Sequence, residues 1–375
     1  MSHFTIALRR NFTKLFSRKT FFSFYNDYSL IRRNLSQVVN RSVTLLPNRV
    51  APIYKDCTIP ESIGRKVNCK HLQWSSPIKN VLIIKKPFDQ QVSSAFAELV
   101  NFIHMAYPEI SVIVEPNVAQ EYPHLHLFTW NDIKELHAKA DAIITLGGDG
   151  TILHTASLYA QTNIPPVLSF SMGTLGFLLP FSFSSFQKAF SQFYDSKSYV
   201  LRRMRLCLRS SSRNIKSPYY AMNELHVHRG LSPHMSVLEV YVNDEFLTEA
   251  ISDGLIVATP TGSTAYSLSA GGPIVHPSIN SLLLTPICPN SLSFRPALFP
   301  ESFSITIKMS RKSRTRPQLS VDGKPLALLE VGQCIEVTHE KNTGIPCVIR
   351  NYDGDDWVND INNLLRWNHP FHRKQ

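Results

Sequence analysis

Long apolar runs, paired cysteines and clustered metal ligands are absent from this sequence of 375 residues. No stretch of about 18 uninterrupted apolar residues occurs, so a membrane span is not expected. The six cysteines form no C-x-x-C pair and no tight cluster, which argues against a disulfide framework and a zinc site. His226 and His228 lie two apart on one side of an expected strand, but no Cys or carboxylate set accompanies them. We therefore expect no metal site in the protein.

Acidic residues are almost missing from residues 1–50, which hold nine Lys and Arg against one acid, Asp27. This segment has a net charge of +8, so only +3 of the chain's +11 belongs to the rest. Its basic residues are spaced among aromatics, Ser and Leu, which predicts a mitochondrial transit peptide and a place in the matrix. The alternative is a basic arm that binds nucleic acid or a membrane surface. A body with a net charge of +3 does not favour a nucleic-acid partner.

Two kinds of pattern divide the remaining chain. Strand, loop and helix signals alternate over 75–195, which predicts a parallel, Rossmann-like α/β domain. Short alternating runs separated by turn residues follow over 196–350 and predict a β-rich, sandwich-like domain. Residues 351–375 are predicted to form a C-terminal helix and tail. The expected fold class is therefore α/β plus all-β.

Local signals place several elements near the candidate site. Residues 90–107 have helical spacing, and Asp89 is positioned to cap that helix. A further helix is expected from Ile152 to about Tyr159. Asn243-Asp244 and Asp322-Gly323 have the composition of hairpin turns.

The most informative motif is Gly147-Gly148-Asp149-Gly150-Thr151, which directly follows an expected strand. Glycines allow the backbone to approach a phosphate closely, and N–H groups at the start of the following helix can bind an anion. A carboxylate in such a loop is electrostatically unfavourable beside phosphates, so its presence there indicates a chemical function. It can accept a proton from an attacking hydroxyl or hold Mg²⁺ against the phosphates. The alternative is an Asp that only caps the next helix.

Two further motifs carry polar groups. A buried strand ends in a loop with four hydroxyl side chains between Thr259 and Thr264, and Tyr266 follows it. Small hydroxyl residues suit ribose and phosphate recognition, and a tyrosine ring can stack on a base; the alternative is an ordered turn before a helix. Asn223-Glu224, at the start of another strand, could bind a ribose diol or an adenine edge, although on its own the pair is better explained as surface turn polarity.

Together these motifs resemble the NAD kinase family. The resemblance rests on 147–151, 223–224 and 253–273, with 170–178 similar to that family's second glycine loop, and it spans roughly 75–350. With the import-like leader, the chain is most similar to the fungal-type mitochondrial NADH kinases. The resemblance implies an α/β domain, a β-rich domain and a dinucleotide bound between them. The reaction that it implies is transfer of the γ-phosphoryl group of ATP, carried with Mg²⁺, to the 2′-hydroxyl of the adenosine ribose of NADH or NAD⁺.

The resemblance also implies roles for individual residues. Asp149 would accept the proton of the ribose hydroxyl, while Asn223 and Glu224 would hold polar edges of the nucleotide. The remaining residues implied in substrate binding are Gly147, Gly148, Gly150, Thr151, His234, Asp253, Thr261, Thr264, Ala265, Tyr266, Ser267, Leu268 and Ser269. Two positions depart from many members, Ser171 in place of Asn and Lys324 in place of Gln, and no contact is assigned to either.

Other functions explain less of the sequence. Lipid kinases of the diacylglycerol and sphingosine type share the Gly-Gly-Asp-Gly loop, but they leave the block from Asp253 to Tyr266 unexplained. A non-catalytic NAD-binding sensor would not need Asp149. NADH and NAD⁺ both remain candidate substrates, because the nicotinamide lies far from the 2′-hydroxyl. ATP is the expected donor, with polyphosphate as the alternative, and the family resemblance implies a homo-oligomer.

Overall fold

The structure, a computed structural model, describes residues 41–57, 69–159, 162–173, 176–211, 215, 218–351 and 355–366. Residues 1–40 of the predicted transit peptide, part of the second glycine loop and most of the C-terminal tail lie outside these residues. Residues 41–50, which that prediction included, pack into the fold: Arg41 and Ser42 pair with Phe128 and Thr129, and Val43 is buried. No helix in the described ranges is long and apolar enough to cross a membrane.

The first part of the chain contains ten strands and five α-helices. The strands are β1 Arg41–Ser42, β2 Pro52–Asp56, β3 Cys69–Trp74, β4 Asn80–Lys85, β5 Ser111–Val114, β6 Leu127–Thr129, β7 Ala142–Gly147, β8 Val167–Ser171, β9 Phe181–Ser182 and β10 Ser198–Arg203. The helices are α1 Gln90–Ala106, α2 Pro116–Glu121, α3 Ile133–Lys139, α4 Asp149–Leu158 and α5 Phe186–Tyr194.

Strands β1, β6, β5, β4, β7 and β8 pair side by side in that order, all parallel. The order reverses between β4 and β7, which is the point where ligands bind in open α/β sheets. Helices α1, α2 and α5 contribute to the core on one face of the sheet, and α3 and α4 contribute to the core on the other. The predicted Rossmann-like domain is confirmed.

Near-continuous apolar runs explain this sheet, since a parallel strand is buried on both faces. Val81 to Ile84 of β4 have no exposed surface. The predicted cap of α1 is also present, because the Asp89 carboxylate accepts hydrogen bonds from the backbone N–H groups of Gln91 and Val92. Cys57 and Cys69 are an exception to the scattered cysteines, with sulfur atoms 3.2 Å apart.

The second part of the chain consists mainly of strands. They are β11 Leu206–Ser210, β12 Tyr219–Ala221, β13 Glu224–His228, β14 Ser236–Val242, β15 Glu245–Ser252, β16 Gly254–Ala258, β17 Ser281–Ile287, β18 Ala297–Pro300, β19 Ile305–Met309, β20 Gln318–Val321, β21 Lys324–Leu328, β22 Cys334–His339 and β23 Ile345–Ile349. Two short helical segments, a 3₁₀ turn at Thr261–Thr264 and α6 at Tyr266–Ser269, follow β16. Helix α7, Asp355–Leu365, follows β23.

Two antiparallel six-stranded sheets form the β-rich part. Their orders are β12-β11-β22-β19-β14-β15 and β18-β17-β16-β13-β20-β21. One apolar cluster contains buried residues of both sheets, including Leu238 and Val240 from one and Leu225 and Leu255 from the other. The expected sandwich-like arrangement follows from this shared core.

The hairpin turns lie where the sequence predicts them. Asn243 and Asp244 connect β14 to β15 with φ values of 50° and 67°, and Asp322 and Gly323 connect β20 to β21 with φ values of 45° and 75°. Two successive residues with positive φ match the twist of a two-residue hairpin.

Two strands within 196–350, β10 and β23, belong to the sheet that contains β4, β7 and β8, which we call the large sheet. Strand β23 is parallel to β8 and antiparallel to β10, which in turn pairs with β3 and then β2. The predicted bounds had placed β10 and β23 with the β-rich part. Their amino-acid patterns cannot reveal this difference, because alternation does not specify which sheet a strand joins. Beyond β23, the Trp357 ring of α7 contacts the ring of His276 at a centroid distance of 4.6 Å.

Candidate functional site

The glycine loop forms the turn between β7 and α4. Gly147 has φ of 151°, and a Cβ there would lie 2.5 Å from the Thr151 hydroxyl and 2.8 Å from Cβ of Lys86. Only glycine fits such a close approach. Helix α4 begins at Asp149, three residues before the predicted start at Ile152, so the expected start was wrong. The carboxylate therefore lies in the first helical turn, which favours negative charge.

The carboxyl group of Asp149 is largely enclosed. Burial raises its pKa, while a hydrogen bond from the backbone N–H of Leu178 and the nearby Arg203 act in the opposite direction. Its Oδ1 atom is buried and has no hydrogen-bond partner among the described residues. A Cβ on Gly176 would lie 2.6 Å from that oxygen. The second glycine loop thus packs directly against this oxygen of Asp149.

Arg203, on β10, connects this loop to the hydroxyl-rich loop. Its guanidinium donates hydrogen bonds to the carbonyl of Phe177 at 2.9 Å and to the hydroxyl of Thr261 at 3.2 Å. The side chain is almost fully buried. Nothing local in the sequence indicates this role, because the partners lie 26 and 58 residues away. Arg203 thus connects Thr261 to the surroundings of Asp149, on whose pKa its charge acts.

The loop after β16 packs against Asn223. The Thr259 hydroxyl donates to the carbonyl of Met222 at 2.6 Å, and the Thr259 N–H donates to the carbonyl of Asn223 at 2.9 Å. A Cβ on Gly262 would lie 2.1 Å from the Asn223 carbonyl oxygen, so this glycine is required by packing. Two motifs that are separate in sequence are therefore one structural unit.

Asp322 holds the segment that contains Asn223 and Glu224. Its carboxylate accepts hydrogen bonds from the backbone N–H groups of Met222, Asn223 and Glu224 at 2.8, 2.8 and 3.1 Å. Burial and the neighbouring Asp322 raise the pKa of Glu224 to about 7. Its Oε2 atom is buried without a hydrogen-bond partner among the described residues. We considered Asp322 only as a turn residue; nothing local in the sequence indicates these contacts.

Tyr266 lies beside two histidines on β13. Its ring meets His226 edge to face at 5.0 Å, and the His226 ring stacks on His228 at 4.2 Å. Burial and the neighbouring His228 lower the pKa of His226 to about 4, so the pair is not a doubly charged site at neutral pH. Burial raises the pKa of Tyr266, and the neighbouring Cys288, Asp253 and Glu224 act in the same direction. The described residues contain no group of three His, Cys, Asp or Glu side chains that could hold a metal ion.

The other predicted residues differ in their surroundings. Asp253 forms an ion pair with Arg229 at 2.8 Å. The Thr264 hydroxyl donates to the carbonyl of Thr261 at 3.2 Å. Ser267 is buried with its hydroxyl 2.9 Å from that of Thr285. Ala265 and Leu268 are half-buried and Ser269 is exposed.

His234 is not brought into contact with these residues by any described interaction. It is exposed in the turn before β14, and its backbone N–H donates to the Ser232 hydroxyl at 3.3 Å.

A cavity of about 490 Å³ opens at the carboxyl ends of β4 and β7, next to the glycine loop. Besides Gly148, Gly150 and Thr151, the residues around it include Lys85, Lys86, Glu115, Glu121, His154 and Lys324. Lys85 is buried and forms an ion pair with Glu121 at 2.6 Å. Lys86 follows a strand at the switch point of the sheet, a signal that we did not use in the sequence.

Comparisons with known proteins identify the family of the chain. A family model described as the ATP-NAD kinase N-terminal domain matches residues 81–199, and one described as the C-terminal domain matches residues 222–343. The mitochondrial NADH kinase pos5 of Schizosaccharomyces pombe is 58% identical over 372 residues, which are 98% of this chain and 95% of that protein. The mitochondrial NADH kinase POS5 of Saccharomyces cerevisiae is 40% identical over 348 residues, covering 80% of this chain and 83% of that protein.

Solved structures show the same architecture. The crystal structure of yeast NADH kinase complexed with NADH matches with a TM-score of 0.81 and 39% identity, covering 89% of this chain and 99% of that chain. An NAD kinase from Archaeoglobus fulgidus in complex with ATP shares the fold, with a TM-score of 0.56 and 22% identity over 75% of this chain and 96% of that one. Since both family models match and the relatives span nearly the whole sequence, the chain belongs to the ATP-NAD kinase family.

Proposed function

We propose that the protein transfers the γ-phosphoryl group of ATP to the 2′-hydroxyl of the adenosine ribose of NADH or NAD⁺. The observation that carries this proposal is Asp149, an enclosed carboxylate at the start of α4 whose Oδ1 atom has no hydrogen-bond partner among the described residues. Its neighbours Gly148 and Gly150 border the cavity that has lysines around it. Arg203, whose charge acts on Asp149, donates a hydrogen bond to Thr261 of the hydroxyl-rich loop. The S. pombe and S. cerevisiae relatives are named mitochondrial NADH kinases, and together with the basic leader they support a mitochondrial location.

Asp149 would act on the ribose hydroxyl. As its oxygen forms a bond to the γ-phosphorus, the hydroxyl loses its proton to Asp149 and the bond from the γ-phosphorus to the β–γ bridging oxygen breaks, releasing ADP. A raised pKa makes the carboxylate a better proton acceptor than an exposed one. The hydrogen bond from the Leu178 N–H and the charge of Arg203 act against that increase.

The cavity beside Gly148 and Gly150 would hold the triphosphate. Lys85, Lys86 and Lys324 border it and provide positive charge, and the N–H groups at the start of α4 point to the same region. Such groups contribute mainly by positioning the phosphates and neutralising charge. Mg²⁺ would enter as part of the ATP complex and neutralise phosphate charge; Glu115 is a nearby carboxylate that could bind its water ligands.

The dinucleotide would lie against the unit formed by Asn223, Glu224 and the loop after β16. Here Glu224 has an oxygen without a partner among the described residues, which suits a bond to a ribose or adenine donor. Asp253 and Tyr266 extend the same surface. The Ser267 hydroxyl is already hydrogen-bonded to the Thr285 hydroxyl, so Ser267 would contribute to dinucleotide binding through its backbone or through packing. A homo-oligomer remains the expected assembly, and light scattering coupled to size exclusion would measure it.

One assay tests the reaction. Purified protein is incubated with ATP–Mg²⁺ and either NADH or NAD⁺, and formation of NADPH or NADP⁺ is measured. Asp149→Asn should lower turnover by about 10²–10⁴-fold while dinucleotide binding is largely kept, because the amide cannot accept the proton. No product with either dinucleotide would overturn the proposed function. Turnover within twofold of wild type in Asp149→Asn would overturn the role of that residue.

The lipid kinase alternative is tested in parallel by replacing the dinucleotide with diacylglycerol or sphingosine. We expect no phosphorylated lipid, because this alternative leaves the loop after β16 without a task. The family comparisons also match NAD kinases over both parts of the chain.

A further inference from the structure

A second cavity of about 490 Å³ lies at the end of the strands of the large sheet that is opposite to Asp149. Asn163, in the loop that leads into β8, and Gly344, just before β23, both border it. Because β8 and β23 are parallel, these residues mark the amino ends of the strands, whereas the glycine loop follows the carboxyl end of β7. The two cavities thus lie at opposite ends of the strands of this sheet.

Among the described residues that border this second cavity, the charged ones are Arg49 and Arg202. Arg49 donates through Nη1 to the Asn163 carbonyl at 2.8 Å, and Arg202 donates through Nη1 to the Asn342 carbonyl at 3.3 Å. The Arg202 guanidinium also lies 5.4 Å from the centre of the Tyr54 ring. These neutral contacts orient both guanidinium groups and leave further N–H donors on each.

No carboxylate in the described part of the chain borders the cavity or forms an ion pair with either arginine. The charge of Asp141 acts on Arg49, and the Asp141 carboxylate accepts hydrogen bonds from the backbone N–H groups of Val50, Lys79 and Asn80. Burial lowers the pKa of Arg49, which means that its charge is poorly solvated. An anion in the cavity would compensate this loss of solvation.

We propose that this cavity binds a small phosphorylated molecule, with its phosphate group held between Arg49 and Arg202. Two guanidinium groups offer planar pairs of donors that match phosphate oxygens. The cavity is large enough for a compound of nucleotide size. This site is separate from the one that handles the reacting phosphates.

Isothermal titration of the full protein with pyrophosphate, inorganic phosphate and AMP tests the proposal. Arg49→Gln and Arg202→Gln should each weaken binding by about tenfold or more, since a hydrogen bond to a charged group contributes about 1.5–3 kcal/mol. Arg49→Lys, which keeps the charge, should lose less. Arg311→Gln, an exposed arginine in the β-rich part, is the matched control and should bind like wild type.

The reaction cavity also attracts phosphates, so Lys86→Gln is titrated in the same way. If pyrophosphate binds at the second cavity, Lys86→Gln keeps that binding event and the arginine variants lose it. Loss only in Lys86→Gln, or wild-type binding by the double variant of Arg49 and Arg202, would overturn the proposal. Preference for AMP over phosphate would identify a phosphate ester as the ligand, and equal affinity would identify the free anion. Kinase assays on each variant test the proposed function separately.

Discussion

Gly176 offers a sharp test of how tightly the structure positions Asp149. A Cβ at this position would lie 2.6 Å from Oδ1 and 3.3 Å from Cγ of Asp149. Ordinary contact begins at 3.4 Å, so Gly176→Ala must move the carboxylate or the loop by about 0.8 Å. A misplacement of about 1 Å can lower a reaction rate by as much as about 10²-fold. We therefore expect kcat to fall roughly 10–100-fold.

Gly173→Ala is the matched control, because it lies in the same glycine loop and a Cβ there meets nothing within 4 Å. Neither glycine has a positive φ, so alanine strains the backbone at neither position. Initial rates of NADPH formation and melting temperatures are measured for both variants. We expect Gly173→Ala to keep wild-type turnover. A Gly176→Ala enzyme within threefold of wild type, or equal losses in both variants, would refute the reasoning.

Three other predictions concern groups around the site. Arg203→Gln should shift the acidic limb of the kcat–pH profile to higher pH, because removing the positive charge raises the pKa of Asp149. Arg203→Lys keeps the charge and should return the acidic limb to its wild-type pH. An acidic limb at the wild-type pH in Arg203→Gln would contradict this reasoning. The folded protein holds a proton on Glu224 more tightly than the unfolded chain does, with pKa values of about 7 and 4.5. Stability should therefore fall by up to about 3 kcal/mol as the pH rises from 4.5 to above 7. The free energy of unfolding, measured in urea at several pH values, should depend less on pH for Glu224→Gln than for wild type. An identical pH dependence would be evidence against the raised pKa of Glu224. Asp322→Ala should lower the free energy of unfolding by about 2–4 kcal/mol because three backbone N–H groups lose their acceptor, whereas Asp244→Ala, in the exposed β14–β15 turn, should change it much less.

Local patterns predict the elements around the site well. The apolar run of β4, the Asp89 cap and both hairpin turns require only neighbouring residues, and the structure contains each of them. The Gly147–Thr151 motif is also local, since its spacing reflects a tight turn before a helix. Even so, the start of α4 was predicted three residues late, because glycine and aspartate have low helix propensity and tertiary packing overrides it here.

Long-range contacts could not be predicted in the same way. Arg203 reaches Phe177 and Thr261, and Asp322 holds a segment about 100 residues away. Nothing in the residues beside an arginine or a turn aspartate specifies such a partner. The close packing of Gly176 on Asp149 likewise depends on where two loops meet at the edge of the sheet.

The position of β23 has a consequence for the order in which the protein can be completed. This strand lies between β8 and β10, so β10, β3 and β2 reach the parallel strands only through it. The two halves of the sheet can therefore join only when the chain up to residue 349 is available for folding. A truncation before Ile345 would therefore open the largest sheet in its interior, exposing two strand edges, instead of shortening a tail.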